Sequence, residues 1–153
     1  MTRVRNAAVA VLLLAALGLA RLAHADPCQL EIGGNDQMQY DKQTLTVPAS
    51  CKEVTLTLHH TGKLPREAMG HNWVLVNAAD LNAVASAGMG AGLANDYVAP
   101  GDKQVLAHTK TIGGGQTTSV TFPTSILKAG GDYRYLCTFP GHNALMRGTL
   151  KFG

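Results

Sequence analysis

The clearest indication of the fold is the stretch Val54-Thr-Leu-Thr-Leu58, in which apolar and hydroxyl-bearing side chains alternate. Strict alternation places successive side chains on opposite faces of a β-strand, so this stretch predicts a strand with one buried face. Ser119-Val-Thr-Phe122 repeats the pattern. Further strand candidates lie at 43–47, 73–76, 133–137 and 149–152. With turn-forming residues between them, these segments predict an all-β fold, an antiparallel β-sandwich.

One segment departs from the strand pattern. Residues 78–93 are rich in alanine and place apolar side chains at near-helical spacing, and Asn77 or Asp80 could cap the start of a helix. Three glycines in the second half of the segment disfavour a long helix, because each costs about 1 kcal/mol relative to alanine. We therefore expect one short helical insertion.

The first 25 residues predict a cleaved secretory signal peptide. Arg3 and Arg5 precede an apolar stretch from 7 to 20, and Ala23-His-Ala25 fits a cleavage site with small residues. The apolar stretch is short for a bilayer-spanning helix, so we expect no membrane anchor. Residues 26–153 are then a single mature domain, long enough to bury a hydrophobic core.

The net charge of +3 comes entirely from the predicted signal peptide. Arg3, Arg5 and Arg21 lie there without any acidic residue, and residues 26–153 carry 10 basic and 10 acidic side chains. A neutral mature surface argues against nucleic-acid binding, which needs a basic face. Docking through apolar contacts is more plausible for such a chain.

Side chains with metal-binding chemistry are concentrated in Cys137-Thr-Phe-Pro-Gly-His-Asn-Ala-Leu-Met146. A turn around Pro140 and Gly141 could bring the thiol, the imidazole and the thioether together. This soft donor set suits copper, whereas structural zinc, the main alternative, prefers several thiolates or carboxylates to a thioether.

Three cysteines in a secreted chain leave one thiol free if the other two form a disulfide. Cys28 and Cys51 lie at the starts of two strand candidates, and their pairing would leave Cys137 free to bind a metal. Closing a loop of this length would stabilise the fold by roughly 3 kcal/mol.

A second histidine would complete the site. His71 is favoured because Gly70 allows close approach of the backbone and Asn72 offers a side chain that can hydrogen-bond nearby groups. The other candidates are His59, His60 and His108.

The motifs together resemble those of the azurins, small blue copper proteins of the cupredoxin family found in the bacterial periplasm. The resemblance spans nearly all of residues 26–153 and rests on the ligand-rich segment together with residues 33–40, 69–75, 88–93 and 107–110. It implies a Greek-key sandwich of about eight strands that binds one type 1 copper ion. It also implies a soluble monomer that shuttles single electrons between partners such as c-type cytochromes or periplasmic reductases.

The same resemblance assigns the metal ligands. It places copper between His71, Cys137 and His142, with Met146 as a long axial ligand and the carbonyl oxygen of Gly70 as a distant contact.

Further roles follow from the resemblance. It implies a disulfide between Cys28 and Cys51, a bracing role for Asn72, and backbone donors near Phe139 that stabilise the thiolate. A partner would dock around the exposed edge of His142, on an apolar collar formed by Leu64, Met69, Met89, Phe139, Pro140 and Ala144.

Two other function classes share some of these features. A protein that delivers copper would share the ligands, but delivery favours exposed, methionine-rich sites, and the five methionines of this chain are scattered. A cysteine hydrolase would have no use for Met146, and a multicopper oxidase needs His-x-His pairs that the sequence lacks. We therefore expect an electron carrier rather than an enzyme.

Overall fold

The computed structural model describes residues 26–153, so the predicted signal peptide lies outside the described part of the chain. Within residues 26–153 there are eight strands and two α-helices. In chain order they are β1 (Gln29–Gly34), β2 (Thr44–Val47), β3 (Glu53–His60), α1 (Arg66–Met69), β4 (Val74–Asn77), α2 (Leu81–Ala91), β5 (Val105–His108), β6 (Thr117–Pro123), β7 (Tyr133–Leu136) and β8 (Arg147–Phe152). None of the described helices has the length and apolar character needed to cross a membrane.

The strands form a sandwich of two sheets, one with the order β1-β3-β6 and the other with the order β2-β8-β7-β4-β5. This arrangement confirms the predicted all-β sandwich. The sheets are mixed, however, because β1 pairs with β3 and β2 pairs with β8 in parallel, while the other four pairings are antiparallel. The chain changes sheet after β1 and again after β2, so β3 re-enters the first sheet in the direction of β1.

Strand β3 confirms the alternation seen in the sequence. Its apolar side chains from 54 to 58 are fully buried, whereas Thr55 and Thr57 lie on the outer face of the sheet. There they hydrogen-bond to Thr121 and Ser119 of β6 at 2.9 and 3.0 Å. The strand therefore separates the core from a surface of paired hydroxyl groups.

The centre of the core is aromatic. Trp73 is fully buried, and its ring stacks on Phe122 from one sheet and Tyr135 from the other, with centroid distances of 6.1 and 5.9 Å. These contacts join the two sheets, and Tyr135 lies two residues before Cys137, where the ligand-rich segment begins.

The cysteines have the roles expected from the sequence. Cys28 and Cys51 form a disulfide that ties the start of β1 to the turn before β3. Cys137 is the free cysteine of the described residues, and it is buried.

Helix α2 confirms the short helical insertion. It packs its buried face, which includes Leu81 and Val84, against the second sheet. It ends at Ala91, and Gly92 follows with a left-handed φ of 72°. Neither Asn77 nor Asp80 makes a capping hydrogen bond with its side chain. The helix continues through Gly88 and Gly90, although glycine disfavours a helix interior. Gly88 lies where no side chain fits.

We expect two glycine substitutions in α2 to have opposite effects. A Cβ at Gly88 would overlap the Tyr97 carbonyl oxygen and lie 2.9 Å from Thr138 Cβ, so Gly88→Ala should lower the free energy of unfolding by about 1–3 kcal/mol. A Cβ at Gly90 would meet nothing within 4 Å, so Gly90→Ala should raise it by up to about 1 kcal/mol. Chemical denaturation of both variants measures the difference, and equal stabilisation would contradict the packing described for Gly88.

Candidate metal centre

One loop between β7 and β8 carries three of the predicted ligands. Cys137 directly follows β7, His142 begins a short 3-10 turn, and Met146 directly precedes β8. Gly141 supplies the turn with a left-handed φ of 83°, a conformation that favours glycine. The Cys137 amide donates to the Met146 carbonyl at 2.9 Å and the Met146 amide to the His142 carbonyl at 2.8 Å, so the loop is closed by its own backbone.

His71 enters the site from the opposite side, between α1 and β4. Its backbone amide and carbonyl both pair with Ile112, at 2.9 and 2.8 Å. The imidazole thereby meets Cys137 and His142, and the ligand atoms of these three buried side chains all lie within 4.8 Å of one another. His59, His60 and His108 are outside this cluster.

The carbonyl of Gly70 points into the same cluster. Its oxygen lies 3.0 Å from His71 Nδ1 and 3.9 Å from Cys137 Sγ, and the sulfur lies 3.7 Å from His142 Nδ1. Met146 is fully buried. Its side chain and that of His71 both pack against Gly34, where an added Cβ would lie 3.1 Å from Met146 Cε and 2.9 Å from His71 Cδ2. Met146 is therefore a neighbour of His71.

The hydrogen bonds of His71 favour a cation at this position. Nε2 lies 2.8 Å from the Asn35 carbonyl and Nδ1 lies 3.0 Å from the Gly70 carbonyl, and both oxygens can only accept. A neutral imidazole has a single N–H, so one of the two contacts stays unsatisfied. With the proton on Nε2, a metal ion at Nδ1 would satisfy the ring.

Burial keeps the donors uncharged when no metal is bound. It raises the pKa of the Cys137 thiol to about 11, although hydrogen bonds from the backbone amides of Asn72 and Phe139 lower it. Burial also lowers the pKa of His71, and it lowers the pKa of His142 to about 4. A thiolate and two neutral imidazoles in an apolar setting form a soft donor set that fits copper, whose charge would offset that of the sulfur.

Comparison with known proteins identifies a copper-binding family. The profile described as copper binding proteins, plastocyanin/azurin family, matches residues 26–153. The azurin of Bordetella pertussis is 57% identical over 127 residues, which cover 83% of this chain and 85% of that azurin. The azurin of Pseudomonas aeruginosa is 52% identical over 141 residues, covering 90% and 95%. A solved structure of azurin (Az-iso2) from Methylomonas sp. strain J matches with a TM-score of 0.80 and 47% identity, covering 82% and 98%.

The chain belongs to the plastocyanin/azurin family of copper-binding proteins. Like the azurins, it is a blue copper protein that carries electrons with one type 1 copper ion. The resemblance inferred from the sequence motifs is thereby confirmed, as is the cupredoxin sandwich.

Asn72 joins the two sides of this cupredoxin centre. Its Oδ1 accepts a bond of 2.9 Å from the Thr138 amide, and its Nδ2 donates to Thr138 Oγ1 at 2.7 Å. Asn72 is adjacent to His71 in the chain and Thr138 to Cys137, so these bonds fix the His71 segment against the Cys137 segment. These are the contacts that the predicted bracing role of Asn72 would use.

His60 forms a wall of the centre without joining the cluster. Its ring stacks on His71 with a centroid distance of 4.2 Å. Nε2 lies 2.7 Å from the Met69 carbonyl, and Nδ1 accepts a bond of 3.1 Å from the Gly62 amide. Both ring nitrogens of His60 thus have a hydrogen-bond partner, and the stacked ring holds His71 on one face.

The collar residues differ in exposure. Leu64 and Met89 are 42% and 47% exposed, and Pro140 and Ala144 are also exposed, whereas Met69 is half-buried. Phe139 is only 8% exposed, and its ring packs on His142 with a centroid distance of 4.5 Å. His142 itself is 3% exposed.

Three features of the centre were not predicted. The Asn35 carbonyl orients His71, the Asp96 carbonyl accepts a 2.7 Å bond from Asn72, and Leu145 in the ligand loop is 56% exposed. The motifs 33–40 and 88–93 pointed to the neighbourhood of the first two, but not to the main-chain atoms involved. Leu145 could have been recognised as an apolar residue between two predicted ligands, His142 and Met146.

The metal-free protein should lose stability in acid through His142. The unfolded chain binds the proton more readily, because the pKa of His142 is lowered from 6.5 to about 4 in the folded protein. The free energy of unfolding should therefore fall as the pH is lowered from about 6.5 to about 4. Urea unfolding over this range measures the slope, with His142→Gln as the control that keeps every other titrating group. The slope should be shallower in the variant, and equal slopes would contradict this origin.

Proposed function

We propose that His71, Cys137 and His142 hold the copper ion, with Met146 and the Gly70 carbonyl as weaker contacts. The observation that carries this proposal is the convergence of three buried donor atoms within 4.8 Å of one another. When bound, copper supplies a one-electron couple between Cu(II) and Cu(I). The ligand residues contribute one fixed arrangement, because the closed loop and the Asn72 bonds hold them before the metal arrives.

Burial of the donors favours electron transfer over the alternatives. Cys137 is fully buried and His142 is 3% exposed, so neither can reach a substrate in the way that a hydrolytic nucleophile and its base must. The same burial disfavours rapid transfer of the metal to another protein, which needs ligands that can be exchanged at the surface. We therefore propose an electron carrier that is neither an enzyme nor a copper-delivery protein.

The proposed exit for the electron is the edge of His142. Its ring contacts Phe139, and exposed side chains of the collar, including Leu64 and Met89, would surround the point where His142 approaches the surface. A small apolar surface suits transient docking, since weak redox complexes bury little area and separate quickly. Partners of this kind would be c-type cytochromes or periplasmic reductases.

The proposed setting is the bacterial periplasm. Residues 1–25 would direct export and be removed, leaving residues 26–153 as a monomeric mature domain. The disulfide between Cys28 and Cys51 supports an oxidising compartment.

Addition of Cu(II) to the metal-free protein tests the ligand set. Thiolate-to-copper charge transfer should give an intense blue absorption. Cys137→Ser should abolish the band, and His142→Gln should lose or shift it strongly. His108→Gln is the matched control, because His108 is exposed and outside the cluster, and it should keep the band. An intense band in Cys137→Ser, or its loss in His108→Gln, would refute the assignment.

Electron self-exchange tests the collar. Met69→Lys places a positive charge on each of two approaching molecules, so the self-exchange rate measured by NMR line broadening should fall at least about tenfold at low salt. Ile126→Lys is the control with the same change in net charge, because Ile126 is 38% exposed and follows the far end of β6. A similar rate for both variants would argue against docking at the collar.

A further inference from the structure

Asp96 lies between the segments that carry the proposed ligands. Its side chain hydrogen-bonds to Arg66 and Thr111 rather than to a ligand side chain. It follows a 3-10 turn, Leu93–Asn95, and adopts a left-handed backbone with a φ of 55°. Aspartate enters this conformation more readily than most residues. The turn directs the Asp96 carbonyl and carboxylate toward two different segments of the centre.

The Asp96 carbonyl holds the Asn72 side chain. Its oxygen accepts bonds from Asn72 Nδ2 at 2.7 Å and from Thr111 Oγ1 at 2.9 Å. The same Asn72 nitrogen donates its other hydrogen to Thr138 Oγ1 at 2.7 Å. Both hydrogens of this amide group are therefore committed, and its orientation toward Thr138, beside Cys137, depends on Asp96.

The Asp96 carboxylate holds the segment that pairs with His71. Oδ1 accepts bonds of 2.8 Å from the Thr111 amide and from Arg66 Nη2. Thr111 directly precedes Ile112, whose backbone pairs with His71. The Arg66 and Asp96 side chains are 38% and 23% exposed, so their ion pair contributes little by itself. The bond to the Thr111 amide is the contact that acts on the centre.

We propose that Asp96 is a positioning residue of the copper centre, which fixes the spacing of the His71 and Cys137 segments through Thr111 and Asn72. This proposal rests on the proposed ligand set. Groups that orient ligands tune a metal site because they decide how far the site can relax between oxidation states. Loosening Asp96 should therefore alter the relative affinities for Cu(II) and Cu(I), and with them the reduction potential.

Two substitutions separate the hydrogen bonds of Asp96 from its charge. Asp96→Gly keeps the left-handed turn but removes the carboxylate. Asp96→Asn keeps both the turn and an acceptor for the Thr111 amide, and removes only the charge. Asp96→Ser, whose shorter side chain cannot span Thr111 and Arg66, replaces the glycine variant if that variant does not fold.

The first readout needs no copper. In the metal-free protein, Asp96→Gly removes the bond between the carboxylate and the Thr111 amide, which should loosen the turn that carries the Asp96 carbonyl. The side-chain amide protons of Asn72, which donate to that carbonyl, should then exchange with water about tenfold faster. Asp96→Asn should stay within about twofold of the unsubstituted protein, because its side chain still accepts from the Thr111 amide.

The second readout is the reduction potential of the copper-loaded protein. Asp96→Gly should change the ratio of the Cu(II) and Cu(I) dissociation constants by at least about threefold, while Asp96→Asn and Arg66→Met stay within about twofold. Asp102→Gly is the matched control. Its carboxylate also accepts a backbone amide bond, from Gln104 at 2.9 Å, but in a turn that reaches neither ligand segment.

The outcomes separate the proposals. Unchanged exchange and potential in Asp96→Gly would overturn the positioning role, and so would an equal change in Asp102→Gly. A change in Asp96→Asn or Arg66→Met as large as in Asp96→Gly would overturn it too, since charge would then be the cause. Failure of the ligand set would appear separately, as an unsubstituted protein without the intense blue band, and Asn72 exchange in the metal-free protein would still test Asp96.

Discussion

The hydrogen bonds between Asn72 and Thr138 are the constraint on which the metal centre depends. Strands β4 and β7 pair with Val74 opposite Leu136, so Asn72 and Thr138 lie two residues beyond the matched ends of the two strands. Their bonds continue the register of the sheet past its last backbone pair. The proposed ligands His71 and Cys137, which adjoin these residues in the chain, are therefore held by the sandwich. Because Asn72 is fully buried, breaking these bonds would leave polar groups unsatisfied and would cost about 1–3 kcal/mol each.

Rigidity and burial act together at this centre. The fully buried thiol of Cys137 has a pKa raised to about 11, so the protein alone does not hold a stable thiolate there. The amides of Asn72 and Phe139 supply part of the missing stabilisation, and a bound cation would supply the rest. Since the same backbone segments position the proposed ligands and donate these bonds, a change in the arrangement of the donors would also change the stabilisation of charge on the sulfur.

The parts of the structure that depend on residue type could be predicted from the sequence. Alternation at 54–58 predicted β3, and the chemistry of Cys137 and His142 predicted a soft metal site. The four-residue strand β5 was not predicted because it has only one buried side chain and no clear alternation. Main-chain carbonyls orient His71 and Asn72, and every residue type has such a carbonyl, so their roles become visible only when the fold brings distant segments together.

Carboxylates near the centre serve the structure rather than long-range attraction. Asp36 accepts bonds from the amides of Lys63 and Leu64 at 2.8 and 3.4 Å, and Asp96 accepts from Thr111 at 2.8 Å. The first pair fixes the loop that presents Leu64, so this part of the proposed collar is ordered before a partner arrives, and docking there requires less loss of conformational entropy. With balanced charge over residues 26–153, electrostatics provides little selection among partners. The proposed collar would then recognise a partner through the shape of a preformed apolar surface, a mode of contact that permits rapid release.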